Sequence, residues 1–251
     1  MYSSVLKHLN VEKVDMICTI NNEESFKILV EVINMRRDYT GFLINMIFYI
    51  LIFGVITSCS TGSKQQTIEP QILEIISAAT LDGWVESNGS ANSDMGGPLT
   101  GDFEHNNPGV GYRQFFSFGL SDIPDGTTII SASLELFQTN DHGNPFTDLG
   151  DVVVDHLDYG ETLDGDDYNM VALTSNIGTL SDNTTEEYKI LDVTTYVQTD
   201  YAATRDYSQY RVWFSVLDND NDGVRDSVSF TDAEDSCCST GNLPKLVVVY
   251  E

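Results

Sequence analysis

Nine residues, Asp218 to Asp226 (DNDNDGVRD), carry the densest chemistry in the chain. Asp218, Asp220, Asp222 and Asp226 fall at positions 1, 3, 5 and 9 of this run, with Gly223 at position 6. Calcium takes about six to eight hard oxygens around one point. Alternating aspartates on a tight loop turn their oxygens inward, glycine permits the sharp turn, and the carbonyl of Val224 would supply a further ligand. Asp232, Glu234 or Asp235 is the expected source of a ligand that completes the shell. A solvated hairpin loop accounts for the same residue types, since Asn, Asp and Gly are ordinary turn formers. The ion reading predicts a structural Ca2+ that pins the hairpin between strand-like segments 209–217 and 226–232.

Other chemistry is sparse. Past residue 58 the only histidines are His105, His142 and His156. No HExxH, GxSxG or phosphate-binding glycine loop is present. His156 alternates with Val152 and Val154, which reads as a packed strand residue rather than a base. Acidic groups such as Asp164, Asp166 and Asp167 are so numerous that no pair stands out for glycoside hydrolysis. The expectation is a non-enzymatic chain. Cys237 and Cys238 are adjacent, and two readings stay open: a vicinal disulfide, or two unlinked thiols.

The fourth chemical feature is Cys59, at the end of FLINMIFYILIFGVITSCS (42–60). The apolar run from Leu43 to Ile56 is too short for a membrane span of about twenty residues but suits the core of a signal peptide. Arg36 and Arg37 stand before it, directly after Met35, and Thr57 and Ser58 are the small residues a signal peptidase requires. The pattern predicts a bacterial lipoprotein signal over 35–58, cut before Cys59, with lipid on its sulfur. Residues 1–34 then read as an upstream extension or a mis-assigned start. Segment 59–77 reads as the lipidated cysteine and a polar tether, and 78–251 as the folded domain. Ser60 after the cysteine favours the outer membrane. Such lipidation anchors a chain at about 0.8 kcal/mol per buried methylene.

The elements that must position these residues read as strands. GYRQFFSFGL (111–120) places Tyr112, Gln114, Phe116 and Phe118 on one face and Arg113, Phe115 and Ser117 on the other. TTIISASLELFQ (127–138) sets Ala132, Leu134 and Leu136 opposite Ser133, Glu135 and Phe137. Segments 152–159, 188–193, 209–217, 226–232 and 244–251 continue the series, rich in β-branched and aromatic residues. Residues 192–202 accommodate one short helix. The expected fold class is all-β, an antiparallel β-sandwich of jelly-roll type. The chain carries 12 Lys+Arg against 39 Asp+Glu, a net charge of −27. That surface repels phosphate backbones and excludes nucleic acid as a partner class.

Several segments together resemble one known family. YRQFFSFGLSDIPDGTTIISASLELF is similar to the signature of DNRLRE-type domains at Arg113, Phe118, Leu120, Ile123, Pro124, Gly126, Ile129, Ala132, Leu134 and Leu136. VVVDHLDYGETLDGDDYN (152–169), LDVTTYV (191–197), LPKLVVVY (243–250) and ATLDGWV (79–85) are similar to further elements of that family in the same order, with Leu243 where an arginine is usual. The resemblance spans about residues 78–251. It implies a β-sandwich module of the kind classed with carbohydrate-binding family ninety-six, whose ligands are alginate-type glycans. The acidic loop separately resembles the DxDxDGxxD loops of extracellular calcium repeats rather than an EF-hand, because its twelfth position is Ser229.

Arginine is scarce here, so Arg113 and Arg211 are the natural anchors for a uronate carboxylate, with Trp213 beside Arg211 as an aromatic platform. Buried Arg–Asp pairs supporting the sandwich are the competing reading, and Trp84 and Trp213 read as core residues more readily than as platforms. The leading expectation is a lipid-anchored, calcium-stabilised carbohydrate-binding module of the cell envelope. The alternative is a structural or adhesion lipoprotein with protein partners.

Overall fold

The computed structural model describes residues 69–93, 99–103, 109–234 and 240–251. The signal segment, Cys59 and the pair Cys237 and Cys238 lie outside the described residues, as does His105. Thr67–Glu251 form one compact unit. It is an all-β antiparallel sandwich. No helix among the described residues is long and apolar enough to cross a membrane.

Among the described residues twelve strands build it: β1 Gln71–Ile76, β2 Gly83–Glu86, β3 Ala91–Asn92, β4 Thr100–Asp102, β5 Gly111–Gly119, β6 Ile129–His142, β7 Val152–Leu157, β8 Thr174–Ser181, β9 Tyr188–Asp192, β10 Tyr207–Phe214, β11 Ser227–Phe230 and β12 Lys245–Tyr250. Two short helices, α1 Pro145–Asp148 and α2 Thr194–Ala202, and a 3-10 turn, Gly165–Asn169, join them among the described residues. The smaller layer runs β1-β12-β6-β9, all antiparallel. The larger layer is centred on β5-β10-β7-β8, with β2, β4 and β11 completing it. At fourteen residues β6 belongs to both layers. Its first part pairs with β12 and β9, and Gln138–His142 pairs with β11.

The period-two pattern explains the core. Phe116 and Phe118 of β5, Leu134 and Leu136 of β6, Val152 and Val154 of β7, Tyr210, Val212 and Phe214 of β10, and Leu246 and Val248 of β12 meet between the layers. Each strand thereby buries its alternate side chains. One polar side chain on this face, Gln114, is fully buried and bonded at both ends. Its Oε1 accepts from Thr100 Oγ1 and from the N–H of Phe230, and its Nε2 donates to the carbonyl of Phe230.

Beneath the larger layer lies a second, smaller core. Phe115 and Leu157 point away from the main core and are covered by Leu81, Val85, Tyr159 and Tyr168 from the segments around β2 and the 3-10 turn. Gly165 lets these coverings touch, since a Cβ there would sit 2.0 Å from the carbonyl oxygen of Gly89. Tyr159 latches the cover, its hydroxyl donating to the carbonyl of Leu81 at 2.8 Å. Tyr159→Phe leaves that buried carbonyl short of a donor, and we expect a loss of about 1–2 kcal/mol in urea unfolding.

Strand β1 corrects the domain boundary. Gln71–Ile76 pairs along its whole length with β12, so folded structure begins inside the stretch read as tether. Polar neighbours and the mixed QILEII pattern disguise an edge strand that buries only Ile75.

Candidate functional site

Arg113, Arg211 and Trp213 all lie on the covered outer face of the larger layer. Arg211 is buried, and its Nε and Nη2 donate to Asp155 Oδ2 at 3.2 and 2.6 Å. Its Nη1 donates to the carbonyls of Asp167, Tyr168 and Met170 at 3.2, 2.9 and 3.0 Å. The last carbonyls of a helical turn go largely without partners, and here one guanidinium collects them, joining the Met170 N–H on the Asp167 carbonyl. Arg113 does similar work, donating from Nη1 to the Tyr168 carbonyl at 2.7 Å. Its Nε and Nη2 donate to Asp218 Oδ2 at 3.0 and 2.6 Å. Planar forks suit such convergent recognition.

The Arg113 guanidinium also lies over two rings, 4.2 Å from the centre of Tyr168 and 4.8 Å from that of Trp213. Tyr168 Oη donates to Asp218 Oδ2 at 2.9 Å. Burial, then the neighbouring Asp218 charge, pushes the Tyr168 phenol well above its ordinary range, so it stays a donor. Two buried polar atoms of this cluster take no hydrogen bond among the described residues: the indole nitrogen of Trp213 and Asp218 Oδ1. Buried polar atoms are seldom left so. The larger layer thus carries an aromatic and arginine cluster with one spare donor and one spare acceptor.

The acidic loop is split by this arrangement. Asp218 faces Arg113. The rest of the loop is shaped by three successive side-chain caps: Asn219 Oδ1 accepts the N–H of Asn221, Asp220 Oδ1 that of Asp222, and Asp222 Oδ1 that of Val224. Asn221 and Gly223 take the left-handed backbone, with φ of 60° and 81°. Asp220 and Asp226 do come together, and they are joined by Asp102 of β4, one carboxylate oxygen from each lying within 4.8 Å of the others. Asp102 has no motif of its own in the sequence. Strand pairing delivers it, because β4 runs beside β11 with Gly101 opposite Ser227.

A third polar cluster occupies the main core. His156 Nε2 lies 2.8 Å from Asp200 Oδ2, and Ser208 Oγ donates to the same oxygen at 2.7 Å. Arg205 donates to Asp200 Oδ1 at 2.6 Å. The histidine and the serine address one carboxylate oxygen, so the aspartate stands between them. The group ties α2 to β7 and β10, and His156 packs as its alternation with Val154 suggested.

No family model matches the chain, and no curated protein matches it either.

Proposed function

We propose that this chain is a non-catalytic binding module of the bacterial cell envelope, carried at the outer membrane on a lipid at Cys59, and that its ligand is a carbohydrate of the uronate type. The observation that supports the ligand is the Arg113 cluster. It offers two aromatic rings around a cation, with the Trp213 indole N–H and Asp218 Oδ1 uncommitted. Sugar sites combine rings with a few fixed donors and acceptors, and one hydroxyl can accept from an indole while donating to a carboxylate. Both atoms are buried, so the reading requires a bridging water between them and the ligand. The similarity to DNRLRE-type domains points to the same ligand class. Both guanidinium groups have their donors committed, Arg211 to Asp155 and three carbonyls and Arg113 to Asp218 and the Tyr168 carbonyl, and Arg113 is favoured because its side chain is 13% exposed against 7% for Arg211.

The test is affinity electrophoresis of the full chain through gels with and without alginate. Alginate is expected to retard it. Trp213→Phe keeps the ring and removes the donor, and is expected to weaken retention about fivefold, the effect of one hydrogen bond. Unchanged mobility in alginate and in neutral polysaccharides would dismiss the carbohydrate reading.

One observation favours an adhesion lipoprotein instead. On the outer side of the smaller layer, Ile72, Ile190 and Ile76 are 71%, 61% and 42% exposed. Val247 and Val249 lie on β12 beside them, opposite Glu74 and Ile72 of β1. If this face carries the function, Ile72→Asp with Ile190→Asp abolishes crosslinking to an envelope protein and leaves alginate retention alone.

A further inference from the structure

Asp102 and Asp226 are locked onto each other by backbone. The N–H of Asp226 donates to Asp102 Oδ1 at 2.8 Å, and the N–H of Asp102 donates to the carbonyl of Asp226 at 2.8 Å. Two glycines permit this approach. A Cβ on Gly101 would stand 2.2 Å from the Asp226 carbonyl oxygen, and one on Gly143 would stand 2.1 Å from Asp226 Oδ1. Both have positive φ, 116° and 67°. The N–H of Asn144 donates to Asp226 Oδ1, so Asp226 is held through its backbone by Asp102 and through its carboxylate by the Gly143–Asn144 segment.

What remains is Asp226 Oδ2. Asp226 is 1% exposed. Its Oδ2 is buried and takes no hydrogen bond among the described residues. A carboxylate oxygen withdrawn from water is costly without a donor or a cation. Arg225 adds positive charge beside Asp102, yet its Nε donates to Ser227 Oγ and its guanidinium lies 4.2 Å over the Phe103 ring.

We propose that Asp102, Asp220 and Asp226 hold one calcium ion. Three carboxylates supply three or more of the hard oxygens that calcium takes, at a site whose two buried members are already fixed. The ligand set differs from a loop-only site: Asp218 is turned to Arg113, and a strand residue far away in sequence replaces it. The ion would staple the acidic loop to β4 and to the start of β11.

The experiment is calorimetric titration and thermal melting of the chelator-stripped full chain with CaCl2 and, separately, MgCl2. We expect one calcium per chain and a melting-temperature rise of about 5 °C or more at a concentration roughly a hundredfold above Kd. Asp102→Asn risks unfolding, so the deciding variant is Asp220→Asn, at the half-buried ligand. It is expected to lose about tenfold or more in calcium affinity, with Asp218→Asn losing less. No calcium heat with an unchanged melt, a preference for magnesium, full affinity in Asp220→Asn, or a larger loss in Asp218→Asn would each overturn the assignment.

Discussion

Arg211→Ala is expected to lower the unfolding free energy by about 4 kcal/mol, measured by urea denaturation at neutral pH. The substitution leaves Asp155, 1% exposed, with only the N–H of Asn176 on its other oxygen. It also strips the carbonyls of Asp167 and Met170 of the nitrogen that collects them. Removing one member of a buried ion pair costs far more than the pair itself contributes, because the survivor stays buried and charged. Arg211→Met with Asp155→Leu should therefore recover roughly half of the loss; the Asn176 N–H would still lack its acceptor. The measurement separates two roles for this residue. A structural pin loses stability on truncation. An anchor for a uronate loses affinity while stability changes by less than about 1 kcal/mol.

The same arginine shows how far the sequence could be read. Alternation on 209–217 sets Arg211 and Trp213 opposite Val212 and Phe214, as found. It cannot show what lies over that face. The cover comes from the 3-10 turn at Gly165–Asn169 and from the segment around β2, which share no periodicity with β10. Strong strands with a buried face, such as β5, β7, β10 and β12, were legible because β-branched and aromatic residues alternate in them. β8 (TSNIGTLS) was not, since it is an edge strand with small polar residues and Asn176 at positive φ. Strand β4 has three residues and reads as loop.

The acidic loop divides in the same manner. Its turn chemistry is local, and the side-chain caps on Asn221, Asp222 and Val224 follow from Asn and Asp two residues earlier. Its destination is not local. Asp102 and Asp226 are 124 residues apart and meet only through the pairing of β4 with β11. The signal that could have found Asp102 is Gly101 beside it, a glycine in a strand where another backbone comes close.

The second large effect concerns pH, and it begins with Asp82. This residue is fully buried, and its Oδ2 accepts the N–H of Ala233 at 2.9 Å. Its Oδ1 is buried and takes no hydrogen bond of good geometry among the described residues, with the Ser77 hydroxyl close enough to exert a weak pull on the carboxyl. Burial, followed by the charges of Glu234 and Asp232, pushes its carboxyl from 3.8 up to about 7, against the pull of the Ala233 N–H. The folded chain therefore binds this proton more tightly than the unfolded chain does. Between about pH 4 and pH 7 the native state holds more protons than the unfolded state, so stability falls as pH rises through that window. A shift of this size corresponds to roughly 3–4 kcal/mol lost between the two ends. Asp167, pushed up to about 6 chiefly by burial, acts in the same direction over the lower part of the window. Asp82→Asn removes the ionisable group while keeping an acceptor for Ala233. It should make the chain about 2 kcal/mol more stable than the wild type at pH 8 and equal or less stable at pH 4, where the wild-type carboxyl is already protonated. Urea midpoints across pH 4 to 8 decide this. A wild-type curve that rises toward neutral pH, or an Asp82→Asn curve as steep as the wild type, would mean that Asp82 is ionised in the folded chain and has a cation against its second oxygen.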